Sequence, residues 1–290
     1  MNSDRRTFLH GLGVATAGSI ALSSTTAAKR GGFPPSGTTA WGESYEIGEG
    51  EISTFSTVTP SGNPKYVGIH LSDGALADLP YADAFEDGEV EDGVQNHGFW
   101  SLPFDLDFPD DVPAPFEYAG LGWNPQGHTP KDVYTKPHFD VHFYFENRNT
   151  IGDIGINPET GEPYVIDAED IADGQIPDGY SLLEGGLVVP TMGAHLAPTD
   201  APELDDEEWL ETLIWGVADV DGDDAYELNF IEPMVTVDYL ENHLRGVVRD
   251  AVAQPDAYPQ DGHYPTRYEI RDLGGGGDVI ALTDFAERRA

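Results

Sequence analysis

Residues of the types that bind metals and transfer protons alternate with apolar residues along positions 137–146, which read PHFDVHFYFE. Strict alternation is typical of a β-strand, on which successive side chains point to opposite faces. One face of this strand would carry His138, Asp140, His142, Tyr144 and Glu146. Two imidazoles, two carboxylates and a phenol are costly to bury without partners, so this face either meets solvent or lines a site.

The spacing of the two histidines bears on whether they could share a metal. On a helix, a spacing of four residues would bring His138 and His142 together. On a strand it separates them by about 13 Å, at about 3.3 Å per residue. Because a Zn–N bond is about 2.0–2.1 Å long, the two imidazoles are not expected to bind the same ion.

A metal could still join neighbours in the row, such as Asp140 and His142, to donors from other strands. The best such donors are His128 in a Gly-His-Thr-Pro turn, His195 at the end of a short strand, and Glu232 before a proline. Two or three histidines with one carboxylate suit Zn, Fe, Mn or Cu. The candidate metal ligands are therefore His128, His138, Asp140, His142, His195 and Glu232, with Tyr144 lining the site.

A metal-free interpretation of the same residues stays open. Asp140 between two histidines would raise their basicity and fix their tautomers, which suits either acid–base chemistry or a purely structural network. The chain has no cysteine, so disulfides and thiolate metal sites are excluded. No nucleophilic-serine or phosphate-loop motif is present. The acidic run at 219–224 fails the EF-hand pattern and is interpreted as a solvated hairpin turn.

The negative charge of the chain predicts that the protein works at high salt concentration. It has 53 acidic against 14 basic residues, a net charge of −39. Salt must screen such self-repulsion, as it does for the acidic proteins of halophilic archaea. Nucleic acids and anionic membranes are poor partners for this charge.

The first residues have the order of an export signal. Arg5 and Arg6 precede a short, glycine-rich apolar run at 9–22, and small residues end at Ala28. We interpret residues 1–28 as a Tat signal peptide, 29–40 as a flexible linker and 41–290 as a single β-rich domain. The expected location is extracellular or at the cell surface. Stable membrane insertion is not expected, because the apolar run at 9–22 is too short to span a bilayer stably.

Short alternating segments separated by turn residues predict the fold class. A hairpin is predicted from 51–59 and 65–71, and further strands at 133–146, 187–191, 212–218, 226–232, 264–271 and 278–283. Short helices are predicted within 73–80, 167–172 and 235–244, and a loop at 82–97. The chain is therefore predicted to be mainly β, a single antiparallel β-barrel or sandwich with a few short helices.

Several long segments resemble one family of exported prokaryotic proteins. They lie at 123–130 (WNPQGHTP), 137–144, 192–195 (MGAH) and 230–240. On these motifs the chain resembles the TTHB-two-ten-like family, a domain of unknown function, here in an acidic version. The resemblance implies a secreted, β-rich, ring-forming domain with no established catalytic activity, so a homo-oligomer is expected.

Three functional hypotheses follow from these residues. The first is a metal- or small-ligand-binding protein whose ligand is unknown. The second is a metal-dependent hydrolase or oxygenase, with a coordination position left open for water or substrate. The third is a metal-free structural protein of the cell envelope, in which Phe139, Phe143 and Phe145 pack between subunits.

Overall fold

The computed structural model describes residues 32–96 and 98–290. The predicted signal peptide lies outside the described residues. Part of the stretch predicted as a flexible linker is packed on the domain: Phe33 is buried against Tyr66 at a ring distance of 4.9 Å, and Arg271 lies 3.8 Å over its ring. The first strand begins soon after, at Thr39.

Antiparallel strands dominate the structure, as predicted. In chain order they are β1 (Thr39–Ile47), β2 (Gly50–Val58), β3 (Pro64–Leu71), β4 (Val94–Asn96), β5 (Phe99–Asp107), β6 (Tyr118–Asn124), β7 (His138–Tyr144), β8 (Tyr180–Leu182), β9 (Val188–Val189), β10 (Gly193–Pro198), β11 (Glu211–Ala218), β12 (Glu227–Thr236), β13 (Val247–Ala251), β14 (Gly262–Asp272) and β15 (Asp278–Arg288). The predicted hairpin from 51–59 and 65–71 is confirmed as β2 and β3.

The strands form two sheets. A six-stranded sheet has the order β1-β2-β3-β15-β14-β13. A nine-stranded sheet has the order β4-β5-β6-β7-β12-β11-β10-β8, with β9 paired to β10, and it curves into a half-barrel. The central pair β7–β12 joins segments far apart in the chain, so tertiary pairing rather than a local hairpin places them side by side.

Helices are few and short. The α-helices are α1 (Ala82–Glu86) and α2 (Arg148–Gly152), the 3-10 turns are Ala168–Asp170 and Pro202–Asp205, and a π-helical turn spans Tyr239–His243. The predicted helical turn within 73–80 is wrong, because that stretch forms consecutive turns. Helix α1 instead lies in the segment predicted as a loop, where it buries Phe85. No helix of the described segments is long and apolar enough to cross a membrane.

Strand β7 is buried on both faces. All seven of its residues are buried, and its apolar face packs towards the six-stranded sheet. Phe143 contacts Phe116 at 5.6 Å between ring centres, and Phe145, just past the strand, contacts Tyr264 of β14 at 5.5 Å. Phe139, Phe143 and Phe145 therefore belong to the core of the chain, which removes the basis for packing them between subunits.

One histidine outside the central strand is also buried. His70 lies on β3, where its alternating pattern alone would suggest a strand surface, but it is 2% exposed. Its Nε2 lies 2.8 Å from the carbonyl oxygen of Gly276, and Trp41 packs on its ring. Alternation gives the face on which His70 lies but not what covers that face, and here Trp41 and the loop before β15 cover it.

Candidate metal centre in the half-barrel cavity

The inner face of the half-barrel surrounds a cavity of about 470 Å³. Strands β6 and β7 form its floor in a fixed register: Gly120 lies opposite His142, and Gly122 lies opposite Asp140. Because neither glycine has a side chain, the imidazole and the carboxylate across from them gain space towards the cavity. Asn124 completes this strand opposite His138.

Strands β12 and β10, with β11 between them, supply Glu232 and His195. Met234 lies opposite Asp140, so Glu232, two residues earlier, shares its face. On the far side of β11, His195 lies opposite Gly216. A Cβ atom at Gly216 would lie 2.0 Å from the ring of Phe230, so glycine is required there. Phe230 then packs against both His142 and His195, at 4.9 and 5.3 Å between ring centres.

The six predicted donors fall into two groups of three. Within each group, one ligand atom per residue lies within 4.8 Å of the others. We call His128, His138 and Asp140, with the neighbouring Asn124, the closed cluster. We call His142, His195 and Glu232 the open cluster. His138 and His142 are in different groups, as expected for a strand, whereas Asp140 groups with His138 rather than with His142.

The closed cluster pairs most of its polar groups, although Oδ1 of Asp140 has no hydrogen-bond partner. Asp140 lies 3.2 Å from Nε2 of His128 and 2.9 Å from Nε2 of His138. Asn124 donates a hydrogen bond of 2.7 Å to its Oδ2. The Nδ1 atoms of the two histidines face the backbone carbonyl oxygens of Thr129 and Lys136, at 2.6 and 2.7 Å. Since a carbonyl only accepts, each Nδ1 donates, and each Nε2 then faces the carboxylate.

Charge interactions shift the pKa values of two groups in the closed cluster. Burial lowers the pKa of His128, but the charge of Asp140 and its hydrogen bond outweigh burial, and the net shift is upward. Burial would raise the pKa of Asp140, yet the flanking imidazoles of His138 and His128 hold it well below its usual range. The contact of His128 with the carboxylate of Asp140 and the hydrogen bond from Asn124 can therefore hold the closed cluster together without a metal.

The open cluster lacks such partners. Nε2 of His142 lies 3.3 Å from Oε1 of Glu232, and Nε2 of His195 lies 3.7 Å from Oε2. Nε2 of His142 and Oε2 of Glu232 are both buried without a hydrogen-bond partner. A buried polar atom left unpaired costs about 1–3 kcal/mol. A cation between the three side chains would pair these atoms, so the donor set fits a metal.

Burial also disfavours charge on the side chains of the open cluster. It lowers the pKa of His142 to about 4 and lowers that of His195 further with help from the nearby His142 and His128 imidazoles. Burial, with a smaller contribution from Asp140, raises the pKa of Glu232 well above its ordinary value. Neutral imidazoles bind metals, so the two histidines are ready for an ion at neutral pH, and a bound ion would favour the ionised carboxylate.

Tyr144 lines the cavity as predicted, and its ring stacks on His142 at 5.3 Å and on Tyr118 at 4.7 Å. Three contributors were missed from the sequence: Asn124, Gly120 and Arg148 at the mouth of the cavity. Asn124 lies in the Trp-Asn-Pro stretch. The signal for it in the sequence was a polar residue directly after an apolar run. Glu146 lies beyond the end of β7 and does not line the cavity.

The acidic turn between β11 and β12 is a separate group of carboxylates. Asp219, Asp221 and Asp223 approach one another, but Asp221 and Asp223 are exposed. Asp219 accepts hydrogen bonds from the backbone N–H groups of Gly222 and Asp224. These contacts account for the turn as a hairpin connection.

Comparisons of the chain with protein-family models, with curated proteins and with solved structures give no match. The functional assignment therefore rests on the geometry of the two clusters and the cavity.

Proposed function

We propose that the protein binds one divalent transition metal through His142, His195 and Glu232 and presents it to a small ligand in the cavity. The observation that carries this proposal is the convergence of three donors, of which His142 and Glu232 are buried, and in which an imidazole nitrogen and a carboxylate oxygen have no partner. Two imidazoles and one carboxylate suit Zn, Fe, Mn or Cu. Such a metal would act as a Lewis acid that holds and polarises an oxygen ligand.

The cavity supports a centre that is open on one side. Three protein ligands leave at least one position of a tetrahedral ion for water or another molecule. All three side chains of the open cluster line the cavity, so that position would face it. Structural metal sites are instead closed by a fourth protein ligand.

Metal analysis of full-length protein purified without an affinity tag at high salt tests the proposal. We expect one equivalent of metal in the wild type and none in His195→Ala. The matched control is His128→Ala, since both histidines keep part of their side chain exposed, 18% for His195 and 33% for His128. Loss of metal in His128→Ala with retention in His195→Ala would assign the metal to the closed cluster and overturn the proposal.

The second candidate is a metal-dependent hydrolase or oxygenase, which the access of the cavity to the open cluster favours. Oxygen uptake and hydrolysis of a chromogenic ester by the metal-loaded protein test it. Turnover that disappears in His195→Ala supports an enzyme, whereas stoichiometric metal without turnover of either kind argues for binding alone.

Export and assembly belong to the same proposal. The twin arginines and apolar run support Tat export to the cell surface or beyond, and the charge of −39 supports function at high salt. Membership of the TTHB-two-ten-like family and assembly into a ring rest on the resemblance of the motifs. Size-exclusion chromatography at high salt would test for the ring, and a monomer would contradict it.

A further inference from the structure

The cavity has a polar end and an apolar end. Its polar end holds the two clusters on β7, β10 and β12. Its apolar end is lined by two walls. These walls are made by Phe99 and Pro103 of β5, on the strand face that Gly122 shares, and by Leu183, Leu187 and Val189 near β9.

The five wall residues are apolar, and none of them is fully buried. Apolar surface gains about 25 cal/mol for each Å² removed from water, so an apolar molecule between the walls would be favoured. A volume of about 470 Å³ lies in the range of small-molecule sites. An apolar cavity is also a poor place for ordered water, which needs polar partners.

Charge restricts the other end of the ligand. A divalent ion with two neutral imidazoles and one carboxylate carries a net charge of +1, which one anionic oxygen would neutralise. Among the residues that the structure describes, Arg148 is the one Lys or Arg that lines the cavity, and it is paired with Asp105 and Asp107. A second negative charge on the ligand would meet Asp105, Glu184 and the acidic surface.

We propose that the cavity takes a small monocarboxylic acid with an apolar body. Its carboxylate reaches the metal at the open cluster, and its body packs between the two apolar walls. This inference rests on the proposed metal centre and names the class of ligand that the centre receives. No covalent step is involved.

Calorimetric titration of the zinc-loaded protein with straight-chain monocarboxylates of increasing length tests this inference. Affinity should rise about fourfold for each added methylene group until the body fills the cavity, because each buried methylene contributes a transfer free energy of that size. The alcohol and the dicarboxylate of equal length should bind at least tenfold more weakly than the acid.

A filling variant locates the ligand. A Cβ atom at Gly122 would lie 3.5 Å or more from its neighbours, so Gly122→Ala is sterically allowed and adds a methyl group to the wall of the cavity. It should weaken acid binding at least tenfold and leave the metal content unchanged. Val247→Ala, at an exposed position on β13, is the control for an apolar change away from the cavity.

The outcomes separate this inference from the proposed function. Stoichiometric metal without binding of any acid would overturn the ligand class and leave the metal centre standing. Equal binding of acid to wild type and to metal-free His195→Ala would also overturn it, because the carboxylate would not be at the metal. Absence of metal from the wild type would overturn the proposed function itself, and this inference with it.

Discussion

Changing Glu232 to glutamine should have opposite effects on stability with and without metal. Glu232 is 1% exposed, and its Oε2 has no hydrogen-bond partner. In the metal-free protein the burial of this unpaired carboxyl group therefore costs free energy, and burial also raises its pKa. Glutamine keeps the shape, removes the ionisable group and can donate an N–H to Nε2 of His142, which lies 3.3 Å from Oε1.

The size of both effects can be worked out. Relief of one unpaired buried group is worth about 1 kcal/mol, the lower end of its cost. For a domain of this size, 1 kcal/mol changes the Tm by about 2–4 °C, so metal-free Glu232→Gln should melt about 2–4 °C above the wild type. Metal at 100 times its Kd stabilises the wild type by about 2.7 kcal/mol, or roughly 5–11 °C. Glu232→Gln should gain little of this.

Thermal unfolding followed by circular dichroism, at constant high salt and pH 7.5, measures both effects with EDTA and with zinc. The same chemical change in the closed cluster is the control. Asp140→Asn breaks the ion pairs to His128 and His138 and should destabilise the metal-free protein by about 3 kcal/mol. If Glu232→Gln melts below the wild type in EDTA, Glu232 is a stabilising ion-pair partner and the assignment of the open cluster fails.

Three further predictions concern the fold and its charges. Burial and the neighbouring Asp272 raise the pKa of Asp278 to about 7, above its unfolded value of 3.8. The protonated carboxyl group therefore stabilises the fold fully below about pH 4, and this stabilisation is lost as the pH rises to 7. Asp278→Asn should therefore gain stability over the wild type between pH 5 and pH 8 in urea titrations. The gain in the free energy of unfolding should reach about 1–2 kcal/mol, which is less than 1.36 kcal/mol for each unit of the pKa shift because Asp278 is partly exposed. The exposed Asp110→Asn is the control, and a gain that does not depend on pH would contradict the proposed cause. Gly216→Ala places a Cβ atom 2.0 Å from the ring of Phe230 and should cost about 1–3 kcal/mol by urea unfolding, whereas an unchanged midpoint would mean that Phe230 moves freely. Phe143→Ala removes a fully buried ring between the two sheets and should cost about 3–5 kcal/mol in the same assay, and a loss below 1 kcal/mol would place Phe143 outside the core.

The sequence predicted well what depends on neighbouring residues. Alternation placed Asp140, His142 and Tyr144 on one face of a strand, and strand geometry separated His138 from His142. Turn residues between alternating segments predicted the hairpins that β2 forms with β3 and β11 with β12.

The grouping of the donors could not be predicted from the sequence. Asp140 joins His138 rather than His142 because Asn124 and His128 approach from β6 and the following turn. Glu232 reaches His142 only because β12 pairs with β7, which is a contact between distant parts of the chain. Alternation alone also gave no sign that both faces of β7 are covered.

The burial of β7 on both faces has a consequence for how the protein folds. A slip of one residue in the pairing of β7 would turn every side chain to the opposite face. It would place imidazoles and a carboxylate between the sheets and send Phe139 and Phe143 into the cavity. Side chains on both faces of β7 would then lie in unfavourable surroundings, so a structure with misaligned β7 should be much less stable than the native one. The polar side chains along one face of β7 thus help to fix the register of this strand.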